Sequence, residues 1–180
     1  MKKQTILITG GTGFLGHNLC RYLIKKDWSV RSIDVAPFNY ADLTENVDVY
    51  DGDICNSELL EKAMDGVDVV ANCAAALPSW KKDDIISSNV EGHRNVMETA
   101  LKKKVKKVIH ISSAAVYGVP DHAPLLEEDE RHAVGMYGET KIMGDKICEE
   151  YRNKGLCVSV LCPVTFLGPG RLGIFSVLYD

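Results

Sequence analysis

Thr9-Gly-Gly-Thr-Gly-Phe-Leu-Gly16 sits between an apolar run, Ile6-Leu7-Ile8, and a segment over residues 14–26. In that segment Phe14, Leu15, Leu19, Tyr22 and Leu23 recur at a helical period. The order strand, glycine turn, helix is what gives the glycines meaning. Gly10, Gly11, Gly13 and Gly16 satisfy both G-x-G-x-x-G and G-x-x-G-x-x-G. Such spacing allows a tight turn, lets a pyrophosphate approach bare backbone, and lets the helix pack closely on the strand. The helix N-terminus then offers unpaired N–H groups and positive dipole to phosphate. Asp34 lies 18 residues beyond Gly16, at the end of a second apolar run. A carboxylate there accepts hydrogen bonds from ribose hydroxyls and repels a 2′-phosphate, so NAD is expected rather than NADP.

Outward from this unit, strand and helix patterns alternate. Strands are predicted over residues 30–35, 47–50, 67–71, 108–112 and 157–161, and helices over 57–64, 84–103 and 136–154. Asn56 or Ser57 caps the helix at 57. Alternation of this kind gives a doubly wound parallel sheet with helices on both faces, the Rossmann arrangement, in strand order 3-2-1-4-5-6. Residues 119–135 form a long loop carrying Pro120, Pro124 and the acidic run Glu127, Glu128, Asp129, Glu130, read as a solvated face.

At 180 residues the chain is one domain with room for a core. A net charge of -4 gives no electrostatic ground for nucleic acid or an acidic membrane as partner. No apolar run approaches the ~20 residues that span a bilayer. Cys20, Cys55, Cys73, Cys148, Cys157 and Cys162 form no C-x-x-C pair and no metal-ligand spacing, and a reducing cytoplasm is expected. His17, His93, His110, His122 and His132 show no metal spacing either, so no metal is expected. His110 is read as packed or hydrogen-bonded, and the lysines of residues 102–107 as a solvated helix end. Trp80, after Pro78, reads equally as a substrate wall or a loop anchor.

Tyr137 and Lys141 stand at i and i+4, sharing one helix face a turn apart. A phenol of ordinary pKa ~10 must fall by about three units to act as a base near neutrality. An adjacent ammonium and the positive ring of an oxidised nicotinamide both push in that direction. Ser113 follows the fifth strand, at the carboxyl edge where open α/β sheets bind ligands. Its hydroxyl is suited to hold a substrate oxygen while the phenol moves the proton.

Thr9 to Gly16, Asp53-Ile54, Asn72 to Ala76, Asn89-Val-Glu-Gly92, Ser112-Ser-Ala-Ala-Val-Tyr-Gly118, Tyr137-Gly-Glu-Thr-Lys141 and Gly168-Pro-Gly170 together resemble the extended short-chain dehydrogenase/reductase family, nearest its NAD-dependent epimerase/dehydratase group. The resemblance implies that Ser113, Tyr137 and Lys141 are the catalytic triad. It implies that Gly10, Gly13 and Gly16, with backbone of Phe14 and Leu15, cradle the pyrophosphate. Asp34 would take the adenosine ribose, and Asp53 and Ile54 the adenine. Ala74, Ala75 and Ala76 would line the cofactor with Asn89 nearby, Pro163 would sit by the nicotinamide, and Lys141 would also bind the nicotinamide ribose.

Two departures narrow the expected chemistry. Ala114 and Ala115 stand where the family's sugar-nucleotide dehydratases carry an acid/base pair, so elimination of water is not expected. Thr165 and Cys162 replace an asparagine and an arginine common in sugar-nucleotide epimerases, which leaves room for non-sugar ketones. Members of the family are nearly twice as long, so residues 1–180 are expected to be the NAD-binding Rossmann domain without the C-terminal substrate part. The resemblance implies a cytoplasmic NAD-dependent epimerase or dehydrogenase acting on a secondary alcohol, with a small-molecule substrate such as a nucleotide sugar. A reductase of sterol-like or other non-sugar ketones, and an NAD-binding module without turnover, stay open. It further implies a homodimer paired through the helices that begin at Asp84 and Met136.

Overall fold

The computed structural model describes residues 3–172; the basic start at Met1-Lys2 and residues 173–180 lie outside them. Six parallel strands form one sheet in the order β3-β2-β1-β4-β5-β6. They are β1 (Thr5–Thr9), β2 (Ser29–Asp34), β3 (Val47–Asp51), β4 (Val69–Asn72), β5 (Lys107–Ile111) and β6 (Val158–Leu161). The helices are α1 (Phe14–Lys25), α2 (Ser57–Ala63), α3 (Lys82–Ile86), α4 (His93–Lys102) and α5 (Gly135–Asn153).

β1 is central because both its faces are covered. Ile6 and Ile8 pack toward Cys20 and Leu23 of α1, whereas Leu7 points to the opposite core. That second core takes Leu60 from α2, Val96 and Met97 from α4, and Ile147 and Tyr151 from α5. The sheet is thus wound on both sides, as the alternation of patterns implies.

The differences from the sequence reading are local. β4 runs Val69–Asn72 rather than 67–71, because Val67 is in the turn that leads into it, its N–H on Met64 O. Val35 lies past β2 and is exposed. The helix expected over 84–103 starts at Lys82 and is interrupted by a π-helical turn, Ser87–Gly92, between α3 and α4. Asn56, not Ser57, caps α2, its side chain accepting from Leu59 N at 3.1 Å. The lysines near the end of α4 are tied to carboxylates: Lys102 to Glu61 at 2.5 Å, Lys103 to Asp65 at 3.1 Å and Lys106 to Asp68 at 2.8 Å. Among the described residues no helix is long and apolar enough to cross a membrane.

Candidate active site

The carboxyl ends of the strands open onto one crevice of about 1080 Å³. Its phosphate end is the glycine loop. Gly10 has φ +67°, a conformation that L side chains rarely adopt, and a Cβ on Gly16 would run into Gly10 O. With both positions bare, the first turn of α1 lies against the end of β1. Gly13 is the N-cap of α1, no side chain caps it, and the first turn carries no acidic residue. Its leading N–H groups therefore face the crevice as an anion site. Gly10, Gly13, Phe14, Leu15 and Gly16 all line the crevice.

Asp34, at the end of β2, buttresses this loop. Its Oδ2 accepts from Thr12 N and its Oδ1 from Ala36 N, each at 3.0 Å, so the carboxylate is held rigid at the crevice wall. Each oxygen keeps a lone pair for a further donor. Asp53 and Ile54 follow β3 on the same wall, Ala74 and Ala75 follow β4, and Pro163 follows β6. Ala76 and Asn89 do not line the crevice. Ala76 is fully buried, and Asn89 Oδ1 accepts from Ala76 N at 2.9 Å while its Nδ2 donates to Ala76 O at 3.3 Å and Thr140 Oγ1 at 3.2 Å. Asn89 is thus a brace between the loop after β4 and α5, carried on the π-helical turn.

Ser113, Tyr137 and Lys141 open onto the far half of the crevice. Ser113 caps a 3-10 turn, Ala114–Tyr117, its Oγ accepting from Ala115 N at 3.1 Å. α5 can lie against that turn because residue 138 has no side chain; a Cβ there would sit 2.8 Å from Ala115 O. This close approach brings the Tyr137 ring beside Ser113. Lys141 is 4% exposed, its Nζ donates to Ile111 O at 3.1 Å, and it lies 5.8 Å from the centroid of the Tyr137 ring.

The electrostatics differ from the sequence expectation. Burial pushes the Tyr137 phenol up, while the Ser113 side chain and the Arg171 charge pull it down. Burial also lowers Lys141 to about 8, opposed chiefly by Asp145. The phenol is therefore not lowered toward neutrality by the chain's own lysine. A cation in the crevice is needed for that, and the oxidised nicotinamide ring is one. Crevice size, open helix N-terminus, a fixed carboxylate at the end of β2 and bare glycine walls all fit a dinucleotide.

Several residues at the crevice carried no signal that distinguished them in the sequence. Trp80, half exposed, lines it together with Leu77, Asp84 and Ser88, and so faces the space rather than anchoring its loop inward. Arg171 lies 5.4 Å from the Phe14 ring at the crevice mouth. Behind the crevice, Thr9 Oγ1 donates to Asn72 Oδ1 at 2.6 Å, and Asn72 Nδ2 meets His93 Nδ1 at 2.6 Å and His110 Nδ1 at 3.3 Å. His93 Nε2 meets Gly144 O at 3.1 Å, and Cys148 stands beside it. His93, His110 and Cys148 bring their ligand atoms within 4.8 Å of one another. The amide and the Gly144 carbonyl instead fix His93 as a neutral ring with its proton on Nε2.

A parallel sheet ordered 3-2-1-4-5-6, with a glycine-walled crevice and a Ser/Tyr/Lys group facing it, defines the class of Rossmann-fold dinucleotide proteins of short-chain dehydrogenase type. The chain belongs to the NAD dependent epimerase/dehydratase family, whose model matches residues 6–176. It is 32% identical over 179 residues to an uncharacterised protein of Sinorhizobium fredii, covering 98% of this chain and 45% of that protein. It is 31% identical to a UDP-glucose 4-epimerase of Halalkalibacterium halodurans, covering 94% of this chain and 54% of the relative. The UDP-glucuronic acid 4-epimerase of Bacillus cereus, solved in complex with NAD, superposes with a TM-score of 0.81 at 29% identity, covering 90% of this chain and 57% of that one. The chain spans about half the length of these relatives.

Proposed function

We propose that this chain holds NAD across the carboxyl edge of its sheet and serves an epimerase or dehydrogenase that oxidises a secondary alcohol of a nucleotide sugar. The observation that carries the reading is that Ser113, Tyr137 and Lys141 open onto the same crevice as the glycine loop and Asp34. In this reading the α1 N-terminus and the backbone of Gly13 to Gly16 bind the pyrophosphate, and Asp34 accepts from the adenosine ribose. Asp53 and Ile54 flank the adenine, Ala74, Ala75 and Pro163 wall the reactive half, and Lys141 donates to the nicotinamide ribose with the N–H groups that Ile111 O leaves free. When bound, the nicotinamide ring supplies a hydride acceptor and a positive charge. Ser113 Oγ donates to the substrate oxygen, and the Tyr137 phenolate takes the hydroxyl proton as hydride leaves the carbon. Lys141 stabilises the phenolate. Returning the hydride to the other face of the ketone gives epimerisation; releasing the ketone gives net oxidation. Ala114 and Ala115 supply no acid or base for eliminating water.

Thr165 in the crevice favours a second reading, a reductase of a non-sugar ketone with the same three residues. Calorimetric titration with NAD, then with a UDP-sugar, separates the cases. Binding of both is expected. NAD binding alone points to the second reading or to a cofactor-binding module, and no NAD binding at all refutes the proposal. Product analysis decides the rest, since an epimerase leaves the cofactor absorbance unchanged overall.

A further inference from the structure

Lys141 and Asp145 are one turn apart on α5, both buried, with Asp145 2% exposed and Lys141 4%. Asp145 is an unusual group for that place. Its Oδ2 lies 3.1 Å from Arg131 Nη1, yet neither carboxylate oxygen accepts an aligned hydrogen bond. The Ser112 hydroxyl, also buried, faces the same space and is the nearest neutral donor to the carboxylate, though not in aligned hydrogen-bond geometry. A buried carboxylate is costly unless charge compensates it. Here the compensation comes first from the Ser112 hydroxyl and then from two cations: Arg131, on the loop that precedes α5, and Lys141.

We infer that Asp145, one turn along α5, acts through Lys141 by keeping its ammonium charged while Ile111 O aims it, and that Arg131 competes with Lys141 for the same carboxylate. The loop over residues 119–134 is thereby tied to the site through one ion pair. The inference rests on the reading of Lys141 as the lysine that serves the chemistry. It does not involve Tyr137 or Ser113 directly.

The groups facing Lys141 are few. Tyr137, Asp145 and Cys148 come from α5, Cys73 from the end of β4, Cys162 from beyond β6, His93 from α4 and His110 from β5. The three thiols are held protonated, with Cys73 and Cys148 pushed up to about 12, and burial keeps both imidazoles neutral. Asp145 is thus the one carboxyl group among them, raised by burial and drawn back down by Ser112, Arg131 and Lys141. Ser112, Arg131, Cys162, Tyr117 and Glu149 complete the surroundings of that carboxylate.

The test is the titration of Lys141 itself. The chain is labelled with ¹³Cε-lysine and followed by NMR, the Lys141 signal being assigned by its loss in Lys141→Arg. Removing the anion in Asp145→Asn is expected to lower the Lys141 midpoint from about 8 by roughly one pH unit or more. Removing the competitor in Arg131→Leu is expected to raise it. A residue that merely packs α5 would not move the midpoint in opposite directions. An unchanged midpoint in Asp145→Asn overturns the inference. If that variant does not fold, an unchanged or lowered midpoint in Arg131→Leu overturns it, because Arg131 is partly exposed and its loss leaves the core intact. NAD titration of the unaltered chain runs beside this. Failure to bind NAD removes the functional reading and leaves the lysine–aspartate coupling standing or falling on its own data.

Discussion

The buried histidine pair makes the fold sensitive to mild acid, by an amount that can be worked out. The rings of His93 and His110 lie 4.1 Å apart at 30°, each 2% exposed. Burial lowers His93 from 6.5 to about 4, and His110 well below the ordinary value, with Lys141 adding to both and His93 adding to His110. The unfolded chain releases them to the ordinary value, so between about pH 6.5 and 4 it binds more protons than the folded chain. Stability therefore rises with pH across that window, is fully present above it, and is lost as pH falls through it. For His93 alone the full loss is about 3 kcal/mol, and the drop from pH 7.5 to 5.5 is about 1.3 kcal/mol. His110 adds a loss of the same sign. Asp145, raised by burial, contributes with the opposite sign, so a comparison of variants is needed. His110→Phe keeps the ring stack and gives up a 3.3 Å contact to Asn72 and an Nε2 that has no partner among the described residues. It costs about 1 kcal/mol at pH 7.5, and the further loss on going to pH 5.5 shrinks. Urea unfolding at the two pH values reads both numbers, with 1.3 kcal/mol moving the midpoint by roughly 0.5–1 M. A wild-type midpoint indifferent to pH, or an unreduced slope in His110→Phe, refutes the reasoning.

Four shorter predictions concern the crevice and the surface. Asp34→Ala removes the carboxylate proposed to accept from the ribose and is expected to weaken NAD binding by about 10- to 100-fold while narrowing the preference over NADP; calorimetry with both cofactors decides it. Gly16→Ala drives a methyl into Gly10 O and is expected to cost about 1–3 kcal/mol of stability, seen as a lower denaturant midpoint. Oxidised NAD is expected to lower the Tyr137 titration, followed by ¹³C-tyrosine NMR, whereas the reduced cofactor is not; equal midpoints would remove the pyridinium charge from the mechanism. We also propose that the chain pairs through α3–α4 and α5. Light scattering should then show a dimer, and Met143→Glu on the exposed face of α5 a monomer.

The sheet was readable because its strands are buried on both faces and so appear as apolar runs. Ile6-Leu7-Ile8 is the clearest case: three successive residues feed two cores. The glycine loop was readable because its spacing answers a steric demand, the close approach of α1 to β1. The π-helical turn was not, since a six-residue interruption leaves apolar residues on either side at near-helical spacing. The polar interior was also partly hidden. His110, read from its strand as packed or hydrogen-bonded, is both, but Asn72 and His93 look like surface residues in a list, and only partners at separations of 21 and 38 residues join the three. Asp145 did have a signal, since it extends the Tyr137–Lys141 interval by one further turn on the same helix face.

The phenol illustrates where sequence reasoning about chemistry has to stop. The Tyr-x-x-x-Lys spacing correctly puts an ammonium one turn from the ring, 5.8 Å from its centroid. It cannot say how much of the lysine's charge survives burial, or how much burial costs a phenolate. Those costs are set by the whole crevice wall, and in the protein by itself they outweigh the attraction: the phenol rises and the ammonium falls. The two shifts have one cause, the exclusion of water from a site meant to be filled. A cation over the tyrosine lowers the phenol, just as the Asp145 carboxylate already offsets part of the fall at Lys141. In the proposed reaction that cation is the positive ring of the oxidised cofactor, so the phenolate is populated only when a hydride acceptor is in place. Proton abstraction and hydride transfer are then coupled by electrostatics alone.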